Sequence, residues 1–147
     1  MKVANMIRTI TYVLIFISIY MASESVSKNN IHEGLRQFLS IGVLPASLLA
    51  GIRHIFFGGN IIKGGKFFEF EAGGANLGIA AASMIAFINN MSNQTMGIIF
   101  LIYAVYLIMG SIAWLIYKPK DNMLSWIFKF WSISGALLYF SYIALVN

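Results

Sequence analysis

The chain has no cysteine, two prolines and two histidines among its 147 residues. The missing thiols exclude disulfides, thiolate nucleophiles and Cys-ligated zinc or iron–sulfur centres. Charge is scarce as well: Asp, Glu, Lys and Arg make up 10% of the residues, against about 25% in an average soluble domain. No P-loop, no G-x-S-x-G and no dinucleotide fingerprint occurs, and Gly58-Gly59 and Gly64-Gly65 read as turn glycines. The histidines, His32 and His54, would stand about 33 Å apart along one continuous helix. They cannot clamp one haem from within the chain, and a metal site of several histidines is excluded.

What is abundant is apolar surface. Hydrophobic residues make up 59% of the chain, and its mean hydropathy is +0.79. A protein this small cannot hide that much apolar area in its own core, so lipid is its natural solvent. The reading is an all-α, single-domain (1–147) integral membrane helical bundle. Five apolar stretches, about 6–22, 37–57, 72–90, 96–117 and 124–146, are expected to cross the bilayer. The alternative is four, because the second stretch carries Pro45 at its middle and ends in Arg53-His54. Crossing with a kink is favoured over dipping in and returning, since neighbouring helices can satisfy the backbone groups that Pro frees.

The net charge of +5 comes from ten Lys and Arg residues scattered between apolar runs, not gathered in a basic stripe. That pattern sets topology and meets lipid headgroups; no nucleic-acid partner is expected. With five spans, Lys2, Arg8, Arg53, Lys63, Lys66, Lys118, Lys120 and Lys129 fall on one side, and only Lys28 and Arg36 on the other. By the positive-inside bias, loops 58–71 and 118–123 are expected to face the cytoplasm, in a prokaryotic cytoplasmic membrane. The bias is the same with four spans, in which case the N-terminus changes side. Residues 1–22 resemble a signal peptide in charge and hydropathy. Tyr20-Met21-Ala22 is a poor cleavage site, however, so an anchored first helix is expected. Trp114, Tyr117 and Trp126 read as interfacial rings, and Lys129 as a side chain that snorkels to the surface. The polar stretch 23–34 reads as an extracytoplasmic loop.

The third stretch carries the chemistry. Gly74, Gly78 and Ala82, spaced four apart, form a small-xxx-small ridge expected to pack against another helix. Glu69, Gly73, Asn76, Ala80 and Ser83 share a different face, and Glu71 lies about 140–160° away from it. Glu69 is expected to sit near the helix N-terminus, where its charge meets free N–H groups. Glu71, deeper in the membrane, is expected to need a partner. Arg53 and His54 reach the same depth if the second stretch spans. Arg53, His54, Glu71 and Asn76 are therefore the candidate polar cluster. It is either a structural clasp or a pocket for a proton, a headgroup or a small ligand.

The stretch Phe68-Glu69-Phe70-Glu71-Ala72-Gly73-Gly74-Ala75-Asn76-Leu77, with Gly51-Ile52-Arg53-His54-Ile55-Phe56 upstream, resembles an F-Q-x-E-x-G-x-A-N-L signature. That signature belongs to a group of small multi-span membrane proteins, loosely similar to DoxX-like four-helix membrane proteins. The likeness covers about residues 50–82; Glu69 stands where the usual residue is Gln, and Arg53 is an addition. It implies a helical bundle with a polar cluster at His54, Glu71 and Asn76. It further implies either an accessory or assembly role for other membrane proteins or a part in quinone-linked redox chemistry. Three roles follow as expectations. The first is a non-enzymatic accessory or small-ligand-binding subunit, with a partner membrane protein, a homo-oligomer, a lipid or a quinone as possible company. The second is a component of quinone-linked redox chemistry. The third is a small oligomeric transporter or channel. Too few ionisable residues lie along the spans for a proton path, which favours the first.

Overall fold

The computed structural model describes residues 2–57, 66–117 and 123–147, and every described element is a helix. The stretches 58–65 and 118–122 lie outside the described residues, as do the side chains of Lys66, Trp114, Tyr117, Trp126 and Lys129. The expectations placed on them are therefore not taken further. Five helices follow in order: α1 (Lys2–Ser27), α2 (Ile31–Phe57), α3 (Lys66–Ile88), α4 (Asn93–Tyr117) and α5 (Met123–Val146). The first four are long and apolar enough to cross a membrane. α5 is 24 residues long, and its apolar part among the described side chains is Phe130–Val146. Phe16, Phe70, Ile102 and Tyr142 are among many large apolar side chains left exposed. Such surfaces fit a lipid bilayer.

The second stretch is one unbroken helix of 27 residues, long and apolar enough to span, and about 40 Å in length. Its irregularity is a π-helical turn at Phe38–Val43, closed by the Leu44 N–H on the Leu39 carbonyl. The cause is Pro45. It has no N–H to give, and its ring would press on the carbonyl four residues back. The wide turn moves that carbonyl away, and Pro45 then sits in the first turn of a fresh α-helical segment, Leu44–Phe57, where a missing donor costs little.

The polar stretch 23–34 is mostly helix, not loop. α1 runs to Ser27 and α2 starts at Ile31, leaving three residues between them. Ser, Glu and Lys at a helix end remain hydrated and have no reason to unwind it. Asn29 makes the turn at φ 63°, with Asn29 N–H on the Val26 carbonyl and Asn30 N–H on Ser25. Asn90 ends α3 in the same way at φ 49°, with its N–H on Phe87 and that of Met91 on Ala86. Both are Schellman closures with Asn in place of the usual Gly.

The chain forms two compact units, Met1–Met91 and Ser92–Asn147. In the first, α2 packs on both α1 and α3. Small residues bring these helices close. A Cβ on Gly34 would meet the Ala22 carbonyl at 2.9 Å, and one on Gly42 would meet the Ser18 Cβ at 2.9 Å. Where α2 crosses α3, a Cβ on Gly51 would stand 3.1 Å from the Gly73 carbonyl, and one on Gly73 would stand 3.2 Å from the Gly51 carbonyl. The second unit is the α4–α5 hairpin, closed where Ser141 Oγ donates to the Gly97 carbonyl at 2.9 Å and Ala144 packs over Gly97.

Candidate functional site

The Gly51–Gly73 crossing places the site. His54 lies one turn beyond Gly51 on α2, and Glu69 one turn before Gly73 on α3. With the two backbones this close, the imidazole reaches the carboxylate: His54 Nδ1 lies 2.6 Å from Glu69 Oε2. Arg53 Nη2 lies 3.1 Å from His54 Nε2.

These two contacts determine the proton positions. A guanidinium only donates, so His54 Nε2 must accept from Arg53. The imidazole proton then sits on Nδ1 and is donated to Glu69. His54 is the neutral Nδ1–H form, polarised between a cation and a carboxylate. A distance of 2.6 Å is short for N–H···O, as expected when the acceptor is ionised. Glu69 is 4% exposed, and its second oxygen, Oε1, is buried and has no hydrogen-bond partner among the described residues. From α1, Tyr12 lies within electrostatic range of both Arg8 and Arg53. As a metal site the pair is poor: Nδ1 holds the proton, and the Nε2 lone pair is taken by Arg53.

The expected cluster is thus rearranged. Arg53 and His54 are together, but Glu69 is their carboxylate and Glu71 is exposed. The reason is helical phase: Glu69, Gly73, Asn76, Ala80 and Ser83 are all buried, which is the face read from their spacing, and Glu71 points away from it. Asn76, 2% exposed, lies on that face about 10 Å along the axis from Glu69 and donates to the Ala72 carbonyl at 2.7 Å. It supports the helix rather than joining the His54 contact. The ridge Gly74, Gly78 and Ala82 is exposed, and a Cβ on Gly74 or Gly78 would meet nothing within 4 Å. The packing glycine is Gly73, one residue earlier.

A second polar cluster closes the other end of the first unit, and nothing in the sequence reading singled it out. His32 Nε2 lies 3.2 Å from Asn90 Oδ1, Arg36 Nη1 donates to the same oxygen, and the Arg36 guanidinium stacks 4.9 Å above the Phe87 ring. His32 and Arg36 at i and i+4 on α2, opposite an Asn that ends the next helix, were the available signal.

Comparison with known protein families, characterised proteins and solved structures gives no match. The fold and site define an all-α protein whose apolar helices suit a bilayer, with a buried imidazole–carboxylate pair between α2 and α3.

Proposed function

We propose that this chain is a non-enzymatic, multi-pass membrane subunit that binds a small ligand at the Arg53–His54–Glu69 site. One observation carries the reading: Glu69 Oε1, buried and without a donor among the described residues. A buried carboxylate oxygen left unpaired is costly, and a chain built only for stability gains nothing from it. A ligand that supplies the missing donor accounts for it. The site lies at the membrane end where the excess of Lys and Arg falls, so it faces the cytoplasm. The accessory or assembly role follows from the DoxX-like resemblance around Gly51–Phe56 and Phe68–Leu77.

A second reading, quinone-linked redox chemistry, is favoured by the pair itself. A carboxylate beside a hydrogen-bonded imidazole is suited to accept the hydroxyl proton of a quinol. Native mass spectrometry of the gently extracted protein separates the readings. A stoichiometric small molecule on the wild type, reduced on a Glu69→Gln variant of unchanged melting temperature, is the expected result. A bound quinone in that position moves the assignment to redox chemistry. A bare wild-type chain, or an adduct indifferent to Glu69→Gln, overturns the binding role.

A further inference from the structure

The cluster at the other end of the first unit holds a cation in neutral company. Arg36 donates from Nη1 to Asn90 Oδ1 and stacks 4.9 Å above the Phe87 ring. Neither partner is charged. The ion pairs among the described residues are Lys28–Glu24 and His54–Glu69, so none of these carboxylates pairs with Arg36. Glu33, three residues before it, accepts from Gln37 Nε2 at 3.2 Å instead. A charged side chain inside a span normally has a counter-charge.

The contacts also aim the donors. A guanidinium only donates, so the Asn90 atom that meets it is the oxygen, and Nδ2 is the other branch of the same amide. Of the five guanidinium N–H groups, one is spent on Asn90. Among the described residues, Arg36 Nε and Nη2 and Asn90 Nδ2 have no acceptor. Nε and Nη2 form a planar fork that fits two oxygens of a phosphate. Stacking on Phe87 holds the plane of that fork.

Depth names the source of the phosphate. Arg36 lies five residues after the start of α2, about 7–8 Å along the axis. A helix of 27 residues exceeds the hydrocarbon core of about 30 Å by about 5 Å at each end. The Arg36 backbone therefore sits near the edge of the core, and its long side chain reaches the headgroup layer. On α3, Ile85 and Ile88 are exposed within one turn of Phe87. They offer apolar surface for an acyl chain, which a soluble anion has no use for.

We infer that the Arg36–Asn90 clasp docks the phosphate of a glycerophospholipid in the leaflet at that end, with an acyl chain along Ile85 and Ile88. Arg36 grips two phosphate oxygens through Nε and Nη2, and Asn90 Nδ2 adds a donor. This site is independent of the binding role of Glu69.

The test is native mass spectrometry of the full chain in micelles doped with equal amounts of phosphatidylglycerol and a phosphate-free galactosyl diacylglycerol of matched acyl chains. The wild type retains the phospholipid about tenfold over the glycolipid, the equivalent of one charge-assisted contact. Other basic side chains hold lipid too, so the decisive reading is the difference between variants. Arg36→Gln still offers Asn90 a donor but has neither charge nor fork, and it retains one phospholipid fewer. Asn90→Asp keeps the clasp: its carboxylate accepts from Arg36 and tolerates the left-handed backbone. It also neutralises the guanidinium and removes the amide donors. The same phospholipid is lost there at an unchanged or higher melting temperature, which weakening of the clasp would not produce. Glu69→Gln retains that phospholipid. Equal retention of the two lipids by the wild type overturns the inference, as does a phospholipid that survives either substitution in the clasp. Its loss in Glu69→Gln moves the lipid to the other end and overturns the inference too. Displacement by millimolar glycerol phosphate overturns the lipid source and assigns the clasp to a soluble phosphate ester.

Discussion

At the scale of single residues, the fold of the first unit depends on two side-chain contacts at opposite ends of α2. His54→Ala removes the donor to Glu69 and leaves both carboxylate oxygens without one among the described residues. The expected loss is about 3 kcal/mol, seen as a lower melting temperature in detergent. His54→Gln, whose amide can still donate, recovers part of it. An unchanged melting temperature for His54→Ala would mean that Glu69 finds its donor elsewhere. At the other end, Asn90 has two duties: it takes the left-handed backbone and accepts from His32 and Arg36. Asn90→Gly keeps the first and loses the second. Asn90→Ala loses both and is expected to be the less stable of the two by about 1 kcal/mol. Equal melting of the two variants would remove the backbone contribution.

Helices are where the glycine contacts act. Gly73→Leu drives a side chain into Ile55 and the Gly51 carbonyl, and should cost about 1–3 kcal/mol. Gly78→Leu meets open space and should leave the melting of the first unit unchanged. The small-xxx-small spacing alone predicts the reverse, so thermal unfolding of the two variants decides between pattern and packing. The face Glu69–Gly73–Asn76–Ala80–Ser83 was legible because a period of 3.6 residues is fixed by backbone geometry. Which face turns inward was not. In lipid the outer surface of a helix is as apolar as the inner one, so hydropathy carries no inside–outside signal. The exposed Gly74 and Gly78 look like a packing ridge for that reason. The partner of His54 was missed with them, since choosing between Glu69 and Glu71 is the same choice of face. Span positions, by contrast, follow from length and hydropathy alone. The second helix survives Pro45 because a π turn absorbs the misfit locally.

For the whole molecule the absence of cysteine becomes an instrument. Single substitutions Lys28→Cys and Ser92→Cys place one thiol each in the two short connections between helices that the structure describes. If α1 and α3 begin on the cytoplasmic side, both thiols react with a membrane-impermeant maleimide added to intact cells. A thiol at Lys2→Cys then reacts only after the membrane is opened. Labelling of Lys2→Cys in intact cells would invert the orientation. The molecule also carries a consequence of its π turn. Both polar clusters tie α2 to one partner, α3: His32 and Arg36 through Asn90, His54 through Glu69. The wide turn at Phe38–Val43 stands between them and contains one residue more than an α-helical turn would. Wound as a uniform α-helix with every residue kept, α2 would carry one of its halves about 100° round against the other. One tie to α3 would then miss its mate. The extra residue acts as a spacer in the reading of the helix, setting two separately phased segments so that a single rod is latched at both ends to the same neighbour.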